Sequence, residues 1–514
     1  MNAAGQPWWE QRRYLVLLAL SLAIPLVWPT TPPLTDLPGH MGRYAVQLGL
    51  ADDPVLGQWY EFKWRLLGNL GVDLLVQLFA PLFGLEPTVK GIVMAIPVMQ
   101  AAGMLLVARE IHGRVPSTAL FALPLAYAYP FQFGFVNYSL SVGMALMMFA
   151  LWLRLTKMKK WRMRVAVFVP ASFLLWLTHT YGWGLLGLMV GGSELVRQRQ
   201  SDAGWGRSIA LAAAAGLMLA GPAILVLMAG SNAPGAHTGY WFEWAIKLKY
   251  LTMVFRDRWE WFDIVSFAVI GIVLIRAALR PQFRLNRELG IIAALLALVF
   301  VLLPRVLLYS AYADMRLAPM MLAFAILAIG PLVDRKAASM LALVGLAFMG
   351  VRLGGLTASA ALYDQDWTRT TAAIDMIPQH ARILALVGVG KGCTTQWFVH
   401  RKEHVPALAL VRRHAFVNDQ WAISTAQLLR VTKSDAPGFV EDISQMVVAK
   451  GCLHPEWAQV QDSLKRFPRP AFDYVWLIDP PKFDPSLLNG LDRVWTNGQD
   501  SLYRINISKS GKSE

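Results

Sequence analysis

WRLLGNLGVDLLVQLFAPLFGL (64–85) is the stretch that decides how this chain is laid across a membrane. It is one of three apolar runs between two basic clusters, Arg12/Arg13 and Arg109/Arg114; the others are 14–29 and 89–108. Lys and Arg clusters between apolar runs stay on the cytoplasmic side, so an even number of crossings must separate them. Three crossings would put Arg109 and Arg114 outside. Asn69, Asp73 and Gln77 recur at i, i+4 and i+8, and Pro81 interrupts the run. A polar stripe at that spacing predicts an amphipathic helix along the outer surface rather than a span.

Composition supports a membrane protein. Of 514 residues, 56% are hydrophobic and 16% charged, with mean hydropathy +0.43. A soluble chain of this length carries nearer a quarter charged residues. Apolar runs of about 16–20 residues, enough for a ~30 Å hydrocarbon core, recur up to about residue 355. The net charge of +15 sits in short clusters that orient the spans. That argues against a nucleic-acid surface, which would show a basic stripe interleaved with exposed aromatics. The 20 Trp and 14 Tyr suit interfacial belts. The N-terminal run lacks a small-x-small cleavage site, so it reads as an uncleaved anchor.

Parity then pairs the remaining runs: 117–133 with 138–156, 165–178 with 182–195, 208–229 with 262–279, and 289–304 with 318–333. A last span at 338–355 follows. The expected fold is a polytopic α-helical membrane protein of about eleven spans, N-terminus cytoplasmic, with the 165–195 pair short for two full crossings. Residues 1–355 form the membrane domain. Its outer loop, 30–88, carries interfacial helices at about 37–50 and 64–85. Residues 356–514 form a small extracytoplasmic α/β domain, with strands expected at Arg382–Val387, Val405–Leu410, Phe472–Ile478 and Ser501–Ile505 and a helix at Gly438–Lys450. GVGKGCTT (388–395) mimics a phosphate loop, but a Walker loop needs Ser or Thr directly after Gly-Lys, and Gly392 follows Lys391. Cys393 and Cys452, the only cysteines, both fall in this domain and lack histidines at metal spacing, so a disulfide is expected in an oxidising compartment.

The outer face collects the chemistry. Asp36, Asp52, Asp53, Glu61 and Asp73 supply carboxylates. Lys247, Lys249, Arg256, Arg258, Arg305 and Arg316 supply cations suited to a phosphate. Ionisable groups at a membrane surface point to a charged, lipid-borne substrate. Each also has a plainer reading. Asp36 is placed to cap a helix whose second residue is Pro38. His40 can pack, Asp73 can mark a wet helix face, Asp314 can pair with Arg316, and His179 can be a satisfied polar group at a span end.

PPLTDLPGHMGRY (32–44), FKWRLLGNLGVDLLVQLFAPLFG (62–84), FGFVNYSLSVGMALMMFALWLRL (133–155), ADMRLAPMML (313–322) and the terminal LYRI (502–505) resemble, as a layout, the GT-C superfamily of integral-membrane glycosyltransferases. That superfamily includes protein O-mannosyltransferases and the aminoarabinose transferases of lipid A. The resemblance implies two membrane-parallel helices in the first outer loop and an acidic residue soon after the first span. It implies transfer of a sugar from a polyprenyl-phosphate donor to an extracytoplasmic glycan, lipid or protein acceptor, in the cytoplasmic (inner) membrane. Asp36 then takes the acceptor's proton. His40, Arg43, Asp73, His179, Lys247, Arg256, Arg305, Asp314 and Arg316 are the expected substrate-binding residues. Cations or a divalent metal ion would stabilise the departing phosphate, with no metal ligand identified and no other cofactor required. Two alternatives stay open: a polysaccharide or lipid transporter or flippase, and a glycan ligase using a lipid-diphosphate donor. Spans nearly free of charge favour surface chemistry over passage.

Overall fold

The computed structural model describes residues 6–506 apart from 51, 202–203, 229–237, 308–309, 391–392, 394–395, 399, 423–426 and 455. The chain divides into two units that interleave in sequence. One comprises Met1–Trp28, Leu66–Leu74 and Gly91–Ser359; the other comprises Pro29–Arg65, Leu75–Lys90 and Ala360–Glu514.

The first unit is helical. Among the described residues, four helices are long and apolar enough to cross a membrane: Leu85–His112, Val136–Lys157, Glu260–Leu279 and Arg335–Met376. The chain is therefore a multi-pass membrane protein. Trp161–Thr178 and Thr180–Gln200 are full-length helices broken only at His179, whose extended backbone separates them. At ~1.5 Å per residue they run about 27 and 31 Å, longer than the 165–195 run suggests.

Other apolar runs are interrupted, each for a local reason. Residues 117–133 form 3-10 turns at Ser117–Phe121 and Leu123–Tyr127 and a short helix at Tyr129–Phe133. Pro116, Pro124 and Pro130 each remove a backbone donor, and 115–128 are wholly buried. The 14–29 run holds only a helix at Arg12–Ser21 and a 3-10 turn at Ile24–Leu26 that contains Pro25. The 208–229 run breaks between Trp205–Gly216 and Gly221–Met228, where Pro222 follows Gly221. The 318–333 run is helical only over Ala318–Leu327, before Gly330-Pro331.

Close packing sets the helix crossings. A Cβ on Gly182 would meet the Ser141 side chain at 2.4 Å, and one on Gly103 would meet Leu146 Cβ at 2.5 Å. Such small-residue contacts let lipid-embedded helices approach. Buried charges correct the expectation of nearly charge-free spans. Arg352 donates to Asp263 at 2.8 Å and Arg164 to Glu194 at 2.9 Å, every partner at most 6% exposed at the side chain. Both pairs join neighbouring helices, and each charge has its counter-charge, as burial demands.

The second unit is built on a seven-stranded sheet. Arg382–Gly388 lies beside Tyr474–Ile478 and Met446–Val448 in parallel, and Tyr474–Ile478 is antiparallel to Ser501–Ile505. Three of the four expected strands stand here. Val405–Leu410 instead joins a helix at Ala407–Arg413, because Ala and Leu are strong helix formers and Pro406 suits the helix start. The expected helix at Gly438–Lys450 is absent: Gly438 has φ +80°, and Met446–Val448 pairs as a strand. Segments of the 30–88 stretch belong to this unit. Leu37–Gly49 is a helix, and Tyr60–Phe62 pairs antiparallel with Leu429–Val431. Cys393 and Cys452 are disulfide-bonded, with Cα atoms 5.1 Å apart.

The 64–85 run is helical over Gly71–Phe83. One position of the expected wet stripe departs from it, while Gln77 is exposed as expected. Asp73 is buried, while Leu78, Leu82 and Phe83 are 63%, 72% and 65% exposed. Asn137 is the cause: its side chain accepts from Val72 N–H at 2.6 Å and donates to Asp73 at 3.1 Å and to the Asn69 carbonyl at 2.9 Å. The acidic first turn is satisfied by protein, and the apolar Leu78, Leu82 and Phe83 are left exposed, the kind of face that lipid or another protein covers.

Candidate active site

In the helical unit the sequence-predicted cations and their acid gather around one aromatic network. Arg256 donates to the Tyr129 hydroxyl at 2.9 Å and lies 5.0 Å from that ring's centre. Tyr129 meets Phe133 at 5.7 Å, and Phe133 meets Tyr312 at 5.3 Å between ring centres. Arg305 lies 5.4 Å from the Tyr312 ring. Arg316 lies over Phe135 at 4.3 Å and donates to Ser310 at 2.9 Å. Tyr138 closes the chain, with its hydroxyl on the Arg316 carbonyl and its ring 5.3 Å from Tyr181 and 6.0 Å from His179. Three guanidinium groups are thereby held against ring faces, an arrangement that fixes their planes without neutralising their charge.

The network divides the predicted residues by role. Lys247 is 2% exposed and spends its ammonium on Asp314 at 2.8 Å and on the Phe300 and Leu303 carbonyls at 2.9 and 2.7 Å. All three of its protons are committed, so it pins the Trp244–Thr252 helix. Asp314 also accepts from Met315 N–H at 2.9 Å, and pairs with Lys247, not with Arg316 as its spacing suggested. His179 caps the Thr180–Gln200 helix, its Nδ1 accepting from Tyr181 N–H at 3.0 Å. Asp73 is held by Asn137. Arg305 differs: its side chain is 34% exposed and its counter-ion Glu243 stands 3.9 Å away. It also shares a side-chain hydrogen bond with Tyr312.

Sequence reading missed Tyr129, Phe133, Phe135, Tyr138, Tyr181 and Tyr312. Aromatics are ordinary at span ends, and nothing in their spacing separates a cradle from a belt. Part of the 230–261 loop, and Lys391, Gly392, Thr394 and Thr395 of the GVGKGCTT run, lie outside the described residues.

In the second unit, Asp36 stands at the N-cap of Leu37–Gly49, with Pro38 in the first turn as expected, but its side chain makes no capping hydrogen bond. The carboxylate is therefore not spent on the helix end. His40, one turn on, packs 4.9 Å from Trp421 between ring centres. Its Nδ1 is buried without a hydrogen-bond partner among the described residues. Burial first, then Arg43 and His404, hold its pKa well below the usual histidine value, so it is neutral. Arg43 is 3% exposed, hydrogen-bonded to Gln427 and 5.1 Å from the Tyr44 ring.

A divalent ion on Asp36 needs companion ligands. Among the described residues, no group of three His, Cys, Asp or Glu side chains includes Asp36, Asp73 or Asp314.

No family model matches the chain, and no curated protein does. Among solved structures it is similar to ArnT from Cupriavidus metallidurans, crystallised with undecaprenyl phosphate. The identity is 13%, the TM-score 0.48, and 98% of each chain is covered. A likeness at that identity and TM-score carries no argument about what this chain binds or does.

Proposed function

We propose that the protein is a membrane glycosyltransferase that moves a sugar from a polyprenyl-phosphate donor to an extracytoplasmic glycan, lipid or protein. The N-terminus is cytoplasmic, about eleven segments cross the inner membrane, and the domain 356–514 lies outside. The observation that carries the reading is the arginine–aromatic network: Arg256, Arg305 and Arg316 held on Tyr129, Tyr312 and Phe135.

The reaction is a displacement at the anomeric carbon. The acceptor hydroxyl oxygen forms the new bond to that carbon as the bond to the phosphate oxygen breaks. The hydroxyl proton passes to the Asp36 carboxylate, and the lipid phosphate leaves with the electron pair. Arg305 and Arg316 stabilise the charge it gains, an interaction stronger in the transition state than in the ground state. His40 and Arg43 lie on Asp36's helix and, being buried, would act by shaping the ground beneath the acceptor. Asp73, His179, Lys247 and Asp314 position the network, and Arg256 adds a further cation for the phosphate.

Two substitutions separate phosphate binding from scaffolding. Arg305→Gln should destabilise by only about 1 kcal/mol, the loss of a part-exposed contact with Tyr312. It should nevertheless weaken retention of polyprenyl phosphate by the detergent-purified protein. Lys247→Met should destabilise by about 3–5 kcal/mol, since it leaves Asp314 buried without its counter-charge. Thermal melts and quantified lipid retention report both. Undiminished lipid retention by Arg305→Gln would remove the phosphate-binding part of the proposal.

A further inference from the structure

Three side chains far apart in sequence converge in the second unit at a place the transfer reaction does not use. Asp53 follows the Leu37–Gly49 helix, in a turn where its backbone N–H donates to the Gly49 carbonyl at 2.9 Å. One carboxylate oxygen accepts from Val55 N–H at 3.0 Å, which fixes the carboxyl plane and directs the other oxygen outward. That second oxygen meets His380 Nε2 at 2.7 Å and His414 Nδ1 at 2.6 Å. All three atoms lie within 4.8 Å of one another, and among the described residues this is the group of three whose atoms are so disposed.

The backbone is shaped for the convergence. His380 has φ +61° and His414 φ +47°, the left-handed region that few non-glycine residues enter, although histidine does so more readily than most. His414 takes that conformation directly after the Ala407–Arg413 helix, and His380 just before the Arg382–Gly388 strand. His380 N–H donates to the Arg413 carbonyl at 2.9 Å, which ties the two turns together.

From this geometry we infer that Asp53, His380 and His414 form a zinc-binding site with one coordination position left to water. Two imidazole nitrogens and one carboxylate oxygen are the donor set of a three-ligand zinc centre. Zinc bonds of about 2.0–2.2 Å set ligand–ligand edges of roughly 3.3 Å in a tetrahedron. The present 2.6 and 2.7 Å separations are shorter, so the ion enters as the carboxylate retreats by roughly half an ångström. Room exists for this: the His380 and His414 side chains are 38% and 40% exposed, which also gives solvent the fourth position. As a mere ion pair, two part-exposed histidines would gain little from one carboxylate. The site clips the outer-loop turn at Asp53 to the turns bordering the sheet, and it is independent of the glycosyltransfer reading.

The full-length protein in detergent, stripped with a chelator and dialysed against Zn²⁺ alone, tests this. One equivalent of zinc should be retained, and the His380→Ala/His414→Ala double variant should bind at least about tenfold more weakly. Co²⁺ in the native chain should give the visible absorption of a four-coordinate ion, a readout that does not depend on the variant folding. Failure of the native chain to retain zinc, equal retention by a folded double variant, or a six-coordinate Co²⁺ spectrum would each overturn the site.

Discussion

His40 carries a consequence of its burial that a pH experiment can read. Its pKa is lowered in the fold by burial, Arg43 and His404, while in the unfolded chain it titrates near the ordinary ~6.5. Below that value the unfolded state binds a proton that the folded state refuses. Stability is therefore intact above pH ~6.5 and lost as pH falls, by up to ~1.4 kcal/mol per pH unit for this one group. His404, lowered mainly by burial, adds in the same direction. Asp419 opposes both: burial raises its pKa to about 8, so it favours the fold increasingly as pH drops from 8 towards 4. The clean observable is a difference. Melting curves of the native chain and of His40→Gln should diverge below pH 6.5, the native chain losing more stability. Parallel curves would show that His40 is not held neutral.

At the scale of elements, the Gly71–Phe83 helix makes the most direct statement about the membrane. A nitroxide on Leu82→Cys, in a background lacking the native cysteines, should be relaxed by oxygen dissolved in lipid. One on the Asp73 face should be shielded by Asn137 and its neighbours. Equal exposure of Leu82 to a water-soluble relaxant would place that face in solvent. The helix also shows what sequence does and does not disclose. Its existence followed from the interrupted apolar run, and so did the strand Arg382–Gly388 and the helix Glu260–Leu279, each from strong periodicity or length. Its orientation did not follow. Asp73 reads as wet unless Asn137, over sixty residues on, is known to satisfy it. Residues 117–133 are interrupted for the complementary reason: composition suits one continuous helix, but Pro124 and Pro130, with Pro116 just before, break the backbone ladder. The ring faces under Arg256, Arg305 and Arg316 were illegible because contact across elements has no signature in spacing.

For the molecule as a whole, the sidedness of the sheet unit is the test. The Arg335–Thr371 helix runs past residue 356, so a reporter belongs beyond it. Alkaline phosphatase fused after Ile377 should be active, and green fluorescent protein fused there and exported by the general secretory route should be dark. The reverse pair would invert the topology and remove the argument for a lipid-carried donor. The Cys393–Cys452 bond closes a loop with sequence separation 59, and a loop of that size is worth about 4 kcal/mol in the chain-entropy model. The central claim, that Asp36 is the base of a polyprenyl-phosphate-dependent transfer, is met most directly by Asp36→Asn. Asparagine preserves size and caps a helix as well as aspartate does, but cannot take the proton. The measurement is mass spectrometry of the lipids that copurify with the native chain and with the variant from the same membranes. The native chain should carry bare polyprenyl phosphate, its product, and the variant should accumulate the glycosylated donor it binds but cannot discharge. Identical lipids on both proteins, or no polyprenyl phosphate on either, would contradict the account.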